Sequence, residues 1–336
     1  MASHFPRIGI SLGDPGGIGP EVILKALSSP RPFQEACFII YAPASLLLKE
    51  CESVPGCPEP RPLPEGRITG PGVYYQSIRE SDAVLSGGPS KENGTVSFGS
   101  FQAALEDVLA QRTDALVTAP ISKQSWQLAG IKWAGHTHYL QNLYPDAMMT
   151  FWSRNLKVAL FTHHLPLKEA LRKVSRDALF QFIVLLNKHL DGLAFGKRRI
   201  LVAGLNPHAG EEGLLGTEEQ SAIAPAVKEA RSMGIPVEGP YPPDTVFLMA
   251  KGIPDAFVLG LYHDQGLIAF KWDAFEKGVN ATLGMPFLRT SPDHGTAFDI
   301  AGKGQANPSS MIEALRLALQ FVRAGSGAGK KNEANG

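Results

Sequence analysis

The chain has 336 residues, no formal net charge and a hydrophobic fraction of 44%. That length suits two compact domains rather than one, and the hydrophobic fraction is enough for a sizeable core. The lack of a basic surplus argues against a general nucleic-acid or membrane-surface binder. The first residues are a poor signal peptide, and the longest apolar runs are too short to span a bilayer. We therefore expect no nucleic-acid and no membrane partner.

The chain contains only three cysteines: Cys37, Cys51 and Cys57. An odd and sparse set without a signal peptide is typical of reduced thiols in a cytosol. We therefore predict a cytoplasmic protein whose cysteines are reduced.

Short apolar runs alternate with helical patterns along most of the chain. Strands are predicted at residues 7–12, 37–41, 115–118, 157–162, 199–204 and 256–261. Helices are predicted at residues 19–27, 100–111, 177–190, 217–233 and 309–322. This alternation predicts an α/β fold with a largely parallel sheet. The small and polar residues 324–336 are predicted to be disordered.

Residues 13–21, GDPGGIGPE, follow the first predicted strand. Their glycines permit a positive φ and a close backbone approach, and the next helix offers free N–H groups to an anion. A tight strand-to-helix turn explains the same residues equally well. No Gly-x-Gly-x-x-Gly dinucleotide motif occurs, so a nicotinamide cofactor would bind on another scaffold. The cofactor contacts stay unassigned.

Six of the histidines outside the predicted helices are candidate ligands: His136, His138, His163, His164, His208 and His263. Three of these segments follow predicted strands, where open α/β sheets place ligands. Imidazole is the commonest metal ligand, and three of them leave an open position for substrate. Each histidine taken singly is more often a hydrogen-bonded loop residue. The separations are also too long for a local ligand motif, so spacing alone does not establish a metal site.

The stretch 262–308 is dense in polar residues and glycine, and it includes Lys271, Asn280, Arg289, Asp293, His294 and Asp299. This composition suits a surface that approaches a ligand closely. A lysine, an asparagine and an arginine together suit a phosphate or carboxylate, because arginine forms paired N–H bonds with an oxyanion. A solvated loop with salt bridges is the equally weighted alternative.

Taken together, these segments resemble the 4-hydroxythreonine-4-phosphate dehydrogenase family of pyridoxal phosphate biosynthesis. The matching pieces follow the family order over nearly the whole chain except residues 50–95 and the tail. They are GDPGGIGPE (13–21), VTAPISK (117–123), GHT (135–137), THHLPL (162–167), NPHAGEEG (206–213), GPYPPDTVF (239–247), YHDQGLIAFK (262–271), residues 278–304 and NPSSM (307–311).

The resemblance implies two α/β/α domains with a cleft between them, like the isocitrate and isopropylmalate dehydrogenases. The expected domains are residues 1–125 with 285–323, and residues 126–284. The resemblance also implies a homodimer whose active site lies in the interdomain cleft and is completed by the partner subunit.

For the site, the resemblance implies one divalent ion per subunit (zinc, magnesium or cobalt) on His164, His208 and His263. It implies substrate contacts from His136, Thr137, Lys271, Asn280 and Arg289. The expected reaction is oxidation of a phosphorylated hydroxy acid by NAD or NADP, after which the β-keto acid loses CO2. Lys271 is the candidate for proton transfer, and a purely phosphate-binding role is equally open.

Two positions depart from the family pattern. Residue 138 is His where Glu is expected in much of the family, and residue 16 is Gly where Ala is frequent. Because His138 sits beside the expected substrate residues, paralogous activity on 4-phosphoerythronate or 4-phosphothreonate is an alternative. A phosphotransacetylase-like acyltransferase and a non-catalytic binding protein for phosphorylated metabolites are further alternatives.

Overall fold

The computed structural model describes residues 5–28, 33–64, 68, 70–80, 87–193 and 198–332, with side chains described to residue 325. The chain forms two compact units. The first unit comprises residues 1–147 and 279–336, and the second comprises residues 148–278. Both alternate strands with helices, so the predicted α/β class is confirmed. No helix among the described residues has the length and apolar character to cross a bilayer.

The first unit opens with five strands and five helices. They are β1 (Arg7–Ser11), α1 (Gly19–Leu27), β2 (Cys37–Ala42), α2 (Ala44–Ser53), β3 (Arg61–Pro62), β4 (Gly72–Ser77), α3 (Lys91–Leu109), β5 (Ala115–Thr118), α4 (Lys123–Leu128) and α5 (His136–Leu143).

The second unit follows in the chain. Its elements are β6 (Met148–Trp152), β7 (Lys157–Leu160), α6 (Leu167–Lys173), α7 (Arg176–Asp191), β8 (Arg199–Ala203), α8 (Ala224–Ser232), β9 (Val237–Tyr241), α9 (Val246–Lys251), β10 (Ala256–Gly260) and α10 (His263–Ala274). The chain then returns to the first unit with β11 (Val279–Leu283), β12 (Leu288–Pro292) and α11 (Ser309–Asn332).

The strand order in the first unit is β3-β4-β2-β1-β5-β12-β11, and in the second unit it is β6-β7-β10-β8-β9. Pairing is parallel except for β11 with β12 and β6 with β7. Strands β2, β5 and β10 are buried along their whole length, as expected of strands covered on both faces. The carboxyl ends of neighbouring parallel strands therefore lie at a common edge within each unit.

Each unit has a core of its own. In the first, the side chains of Phe101 and Trp126 pack beside Leu116 of β5. In the second, Val158 and Phe270 belong to one buried cluster. Local signals set several helix starts: Ser90, Ser122 and Ser175 each accept a hydrogen bond from the backbone N–H three residues on.

The structure corrects several sequence predictions. Residues 263–274 form helix α10, where a polar loop was one interpretation. Gly266 weakened the helical pattern, but a Cβ there would lie 2.5 Å from Leu160 Cδ2, so the glycine lets α10 pack closely on β7. The predicted helix 217–233 divides into a π-helical turn, Glu219–Ile223, and α8.

Two further predictions differ from the structure. Cys51 and Cys57 are paired as a disulfide, whereas reduced thiols were predicted. The turn after α2 brings their Cα atoms to 5.5 Å, which is within the usual range for a disulfide. Helix α11 runs to Asn332, into the tail predicted as disordered, and residues 333–336 lie outside the described residues.

The two units end at other positions than the predicted domains, so residues 126–147 and 279–284 lie in the first unit. The bounds of the folding domains stay a prediction.

Candidate active site

In the first unit, four polar side chains meet on one face of the sheet. Thr118 ends β5, Arg289 lies on the neighbouring β12, and Thr282 lies opposite Arg289 on β11. His136 is the first residue of α5 and follows Gly135, whose φ of 124° suits a glycine. These four residues form what we call the arginine cluster.

The Arg289 guanidinium donates to the other members of the arginine cluster. Its Nε and Nη2 donate to Thr118 Oγ1 at 2.9 and 2.6 Å, and Nη1 donates to Thr282 Oγ1 at 3.4 Å. Nη2 also lies 3.3 Å from His136 Nδ1. The side chain is 4% exposed, and no described carboxylate forms an ion pair with it. The first unit thus holds a buried cation whose partners are all neutral.

The surroundings fix the charge state of the arginine cluster. Burial lowers the pKa of Arg289 to about 10, so the guanidinium is charged at neutral pH. Burial, and then the charge of Arg289, lower the pKa of His136, so its imidazole is neutral. The His136 ring packs against Phe101 and Trp126, with ring centroids 4.6 and 5.4 Å away. A charged group in such surroundings favours an anionic ligand.

Two more of the expected substrate residues lie on the same elements. Thr137 follows His136 in α5 and is half-buried. Asn280 is on β11, opposite Ser291 of β12. Because successive side chains of a strand point to opposite faces, Asn280 and Thr282, two residues apart, lie on the same face of the sheet. The first unit therefore contains four of the five residues expected to contact substrate.

The glycine-rich loop 13–21 proves to be a structural turn. The N–H groups of Asp14, Gly16, Gly17 and Ile18 bond to protein acceptors, so they are not available to an anion. Gly13 has a φ of 76°, and a Cβ there would lie 2.4 Å from the Pro120 carbonyl oxygen. Of the two interpretations, the strand-to-helix turn is the one that the structure favours.

In the second unit, the predicted metal ligands follow three adjacent parallel strands. His163 and His164 follow β7, His263 follows β10, and His208 follows β8. Because the strand order is β7-β10-β8, these residues emerge at one edge of the sheet. The sequence argument from strand ends is thus consistent with the topology.

Two of the three predicted ligands lie side by side. The rings of His164 and His263 have centroids 5.4 Å apart, and His263 Nδ1 lies 2.7 Å from Asp264 Oδ1. A ring nitrogen held by a carboxylate leaves the other nitrogen for a metal ion. The neighbouring His163 is more buried, and burial, followed by the charges of His164 and His263, lowers its pKa to about 4.

His208 is placed differently. It is exposed and opens a left-handed turn, residues 208–212, in which every φ lies between 42° and 80°. Glu219 holds the preceding segment, because its Oε1 accepts from the N–H groups of Leu205 and Asn206 at 2.7 Å. Within the described ranges, no group of three or more His, Cys, Asp or Glu side chains is positioned to hold a metal ion. His164 and His263 are adjacent, but they do not form a three-ligand group with His208 in the described residues.

Gln265 joins the ends of two of these strands. Its Oε1 accepts from Leu261 N, and its Nε2 donates to the Gly204 carbonyl oxygen, both at 2.7 Å. Lys271 lies two turns beyond His263 on α10, with its Nζ 6.0 Å from the centre of the Phe275 ring.

Sequence reasoning missed four residues that support the clusters: Thr118, Thr282, Glu219 and Gln265. Thr118, Gln265 and Thr282 lie inside segments that carry the family resemblance, so their position there was the available signal. No local pattern indicated Glu219, since its partners lie 13 and 14 residues away.

The family model described as the pyridoxal phosphate biosynthetic protein PdxA matches residues 62–318. A 4-hydroxythreonine-4-phosphate dehydrogenase from Sulfurihydrogenibium sp. is 40% identical over 94% of this chain and 98% of its own length. A protein named putative D-threonate 4-phosphate dehydrogenase, from Clostridium botulinum, is 36% identical over 96% of this chain and 98% of its own length.

A solved structure of a protein with the same name is also similar to this chain over nearly its whole length. The 4-hydroxythreonine-4-phosphate dehydrogenase of Klebsiella pneumoniae has a TM-score of 0.85 and 34% identity, over 96% of this chain and 99% of that one.

Proposed function

Because the chain belongs to the family of the pyridoxal phosphate biosynthetic protein PdxA, we propose that it oxidises 4-phosphooxy-L-threonine at the 3-hydroxyl with NAD. Decarboxylation then gives 3-amino-2-oxopropyl phosphate. The chain is a dehydrogenase of this family. NADP remains open as the cofactor, and we propose a cytoplasmic location in keeping with a biosynthetic role.

The observation that carries this proposal is the arginine cluster. Arg289 is a buried guanidinium with neutral partners only, so a ligand that brings negative charge would complete it. Four of the five guanidinium N–H groups face described partners, which leaves one N–H on Nη1 and the positive charge for an oxygen of a phosphate ester. His136, Thr137 and Asn280 are the accompanying substrate contacts in the proposal.

The oxidation moves a hydride and a proton. The C3–H bond breaks with its electron pair passing to the nicotinamide, and the hydroxyl proton passes to a base. The resulting β-keto acid loses CO2, and the electrons of the broken C–C bond form an enolate that is then protonated. Lys271 is our candidate for the proton transfer. Binding the substrate phosphate is the alternative role of Lys271.

We propose that His164, His208 and His263 hold one divalent ion, such as zinc, magnesium or cobalt. The proximity of His164 to His263 supports this assignment, and the left-handed turn would have to bring His208 toward them. A divalent ion would ease deprotonation of the substrate hydroxyl and stabilise negative charge during decarboxylation.

Related phosphorylated four-carbon acids are the second candidate substrates. The D-threonate 4-phosphate name of the Clostridium botulinum relative supports this, as does His138 at a position where Glu is expected. The His138 side chain is exposed, stacks edge-on with Trp133 and accepts from Ala134 N at 3.2 Å.

Absorbance at 340 nm tests the proposal directly. Purified protein with NAD and a divalent ion should form NADH with 4-phosphooxy-L-threonine, and parallel reactions should contain D-threonate 4-phosphate and 4-phosphoerythronate. Faster turnover of one of the latter would reassign the substrate. Absence of NADH in all three, together with acetyl transfer from acetyl-CoA to phosphate, would favour the acyltransferase alternative.

A homodimer with a shared active site is part of the proposal. Large apolar side chains are exposed on α9, on α10 and at the residue that follows α10: Leu248, Met249, Ile268, Trp272 and Phe275. Trp272 is 94% exposed, and it lines one groove with Leu248 and Ile268. Contiguous exposed apolar surface is typical of a protein interface. Because α10 also carries His263 and Lys271, a second copy bound there would lie beside predicted site residues.

Sedimentation of Trp272→Glu tests this interface. We expect the wild type to sediment as a dimer, and the variant to be monomeric with little activity. Mixing His208→Ala with Lys271→Ala should restore some activity if the two residues serve one site from different subunits. A fully active wild-type monomer would rule out the shared site.

A further inference from the structure

The contact between Arg289 and His136 determines which imidazole nitrogen carries the proton. A guanidinium has hydrogen-bond donors only. Because Arg289 Nη2 lies 3.3 Å from His136 Nδ1, that nitrogen must be the acceptor. The proton of the neutral ring is therefore on Nε2.

The Nε2 atom of His136 is buried and has no hydrogen-bond partner among the described residues. A buried N–H group without a partner is unusual and costs stability, so it marks a place where a ligand atom can bind. The two nitrogens belong to one ring, so this donor lies within one ring width of the contact with Arg289. An oxygen of an anionic ligand is the complementary partner.

Thr118 determines how the guanidinium is oriented. Its hydroxyl accepts from both Nε and Nη2 of Arg289, at 2.9 and 2.6 Å. The bond from Nη1 to Thr282 is longer, at 3.4 Å. Thr118 therefore makes the two shortest contacts to the group, including one to the nitrogen that faces His136.

We infer that Thr118 is a positioning residue: it orients Arg289, and Arg289 in turn keeps His136 in the Nε2–H tautomer. The first unit then offers a neutral N–H donor beside a fixed cation to a phosphate group. This inference rests on the proposed anion-binding role of Arg289. The lowered pKa of His136 supports it, because the ring stays neutral at neutral pH.

Nitrogen NMR of histidine side chains in the full-length protein tests the tautomer without any ligand. His136 is the histidine whose signal disappears in His136→Asn, and in the wild type that signal should show Nδ1 unprotonated and Nε2 protonated. Thr118→Val should convert it to a mixture of tautomers, whereas Thr118→Ser should preserve it. If the signal that His136→Asn removes came from the Nδ1–H tautomer, the inference would be overturned.

Titration with inorganic phosphate tests the consequence for binding. Thr118→Val should weaken phosphate binding roughly tenfold or more, as for a lost hydrogen bond to a charged group, and Thr118→Ser should restore it. Thr290→Val is the matched control: Thr290 is a buried threonine next to Arg289, but its hydroxyl donates to the Ala314 carbonyl oxygen. It should lower the melting temperature without changing phosphate affinity.

Equal loss of affinity in Thr118→Val and Thr290→Val would overturn the positioning role, because it would indicate a general effect of stability. Wild-type protein that does not bind phosphate would instead reject the phosphate site of the proposed function. In that case the tautomer of His136 in wild type, Thr118→Val and Thr118→Ser still decides the role of Thr118. If Thr118→Val does not fold, Thr118→Ala, which also lacks the hydroxyl, takes its place in both measurements.

Discussion

The arginine cluster and the histidine edge of the second unit differ in how far the chain assembles them unaided. In the first unit, strands β5, β11 and β12 hold the guanidinium of Arg289, which makes four described hydrogen-bond contacts. In the second unit, the predicted ligands lie on loops after strands, and only His164 and His263 are adjacent. The arginine cluster is therefore formed without a bound anion, whereas the predicted metal site still lacks His208 beside the other two histidines.

This difference has a physical reason. Hydrogen-bonded strands fix backbone positions, so side chains on them keep their spacing without a ligand. A buried charge also needs its partners at all times, whereas exposed imidazoles are solvated by water until a cation binds. We therefore expect anion binding to be insensitive to metal and metal binding to depend on the turn that carries His208.

The largest effect is expected from His263→Ala. It should remove the bound divalent ion and lower activity by more than about a hundredfold, since losing residues that only support a ligand already costs up to about that much. Metal content and NADH formation after chelation and metal re-addition are the measurements. His163→Ala is the control and should be much milder than His263→Ala or His164→Ala; a larger loss in His163→Ala than in His164→Ala would show that the adjacent pair was assigned wrongly.

Arg289→Lys should have the next largest effect. It keeps the charge but loses the N–H contacts to Thr118, Thr282 and His136 that fix its position, so kcat/KM should fall by a factor that corresponds to about 1.5–3 kcal/mol. Arg316→Lys, which alters an exposed ion pair on α11, should leave kcat/KM unchanged. With a substrate analogue that lacks the phosphate, Arg289→Lys should change kcat/KM only little. Equal losses for both substrates would assign Arg289 to the carboxylate or to the fold.

Glu219→Gln separates the two clusters. The buried carboxylate accepts from Leu205 N, Asn206 N and Asn206 Nδ2, so an amide would leave one donor facing another. We expect roughly 1–3 kcal/mol less stability by denaturant unfolding and weaker metal binding, with phosphate affinity unchanged. Glu218→Gln is the matched control, because Glu218 is exposed and should cost less. Weaker phosphate binding in Glu219→Gln would contradict the independence of the two clusters.

The smallest effect concerns pH and involves one histidine from each unit. The pKa of His163 is lowered to about 4 by burial and then by His164 and His263, and that of His136 is lowered by burial and then by Arg289. Below about pH 6.5 the unfolded chain therefore binds protons that the folded chain does not. Stability should fall by roughly 1–2 kcal/mol per histidine between pH 7 and pH 5.

Denaturant unfolding at several pH values measures this dependence. His136→Asn and His163→Asn should each reduce the slope, whereas His138→Asn, at an exposed position, should not. An unchanged slope in both buried variants would mean that other groups produce the acid sensitivity.

The sequence predicted most of the central strands to within two residues, because their apolar runs are continuous and bounded by turns. It did not predict β6, β11 and β12, nor helix α10. Strand β12 contains Arg289 and Ser291, so it lacks an apolar run, and its position between β5 and β11 in the sheet buries it. The disulfide between Cys51 and Cys57 was likewise missed, since two cysteines six residues apart do not reveal the turn between them.

The sequence by itself determined the α/β class, the family and the residues expected to bind substrate. These follow from the alternation of elements and from the order of motifs along the chain, which need no three-dimensional information. Only the tertiary structure decided that Arg289 is a buried cation among neutral partners, and that Thr118, 171 residues away in the chain, orients it. It also decided that loop 13–21 is a turn in which the N–H groups of Asp14, Gly16, Gly17 and Ile18 bond to protein acceptors. Burial and hydrogen bonding across long sequence separations set these properties, and neither is encoded in a local pattern.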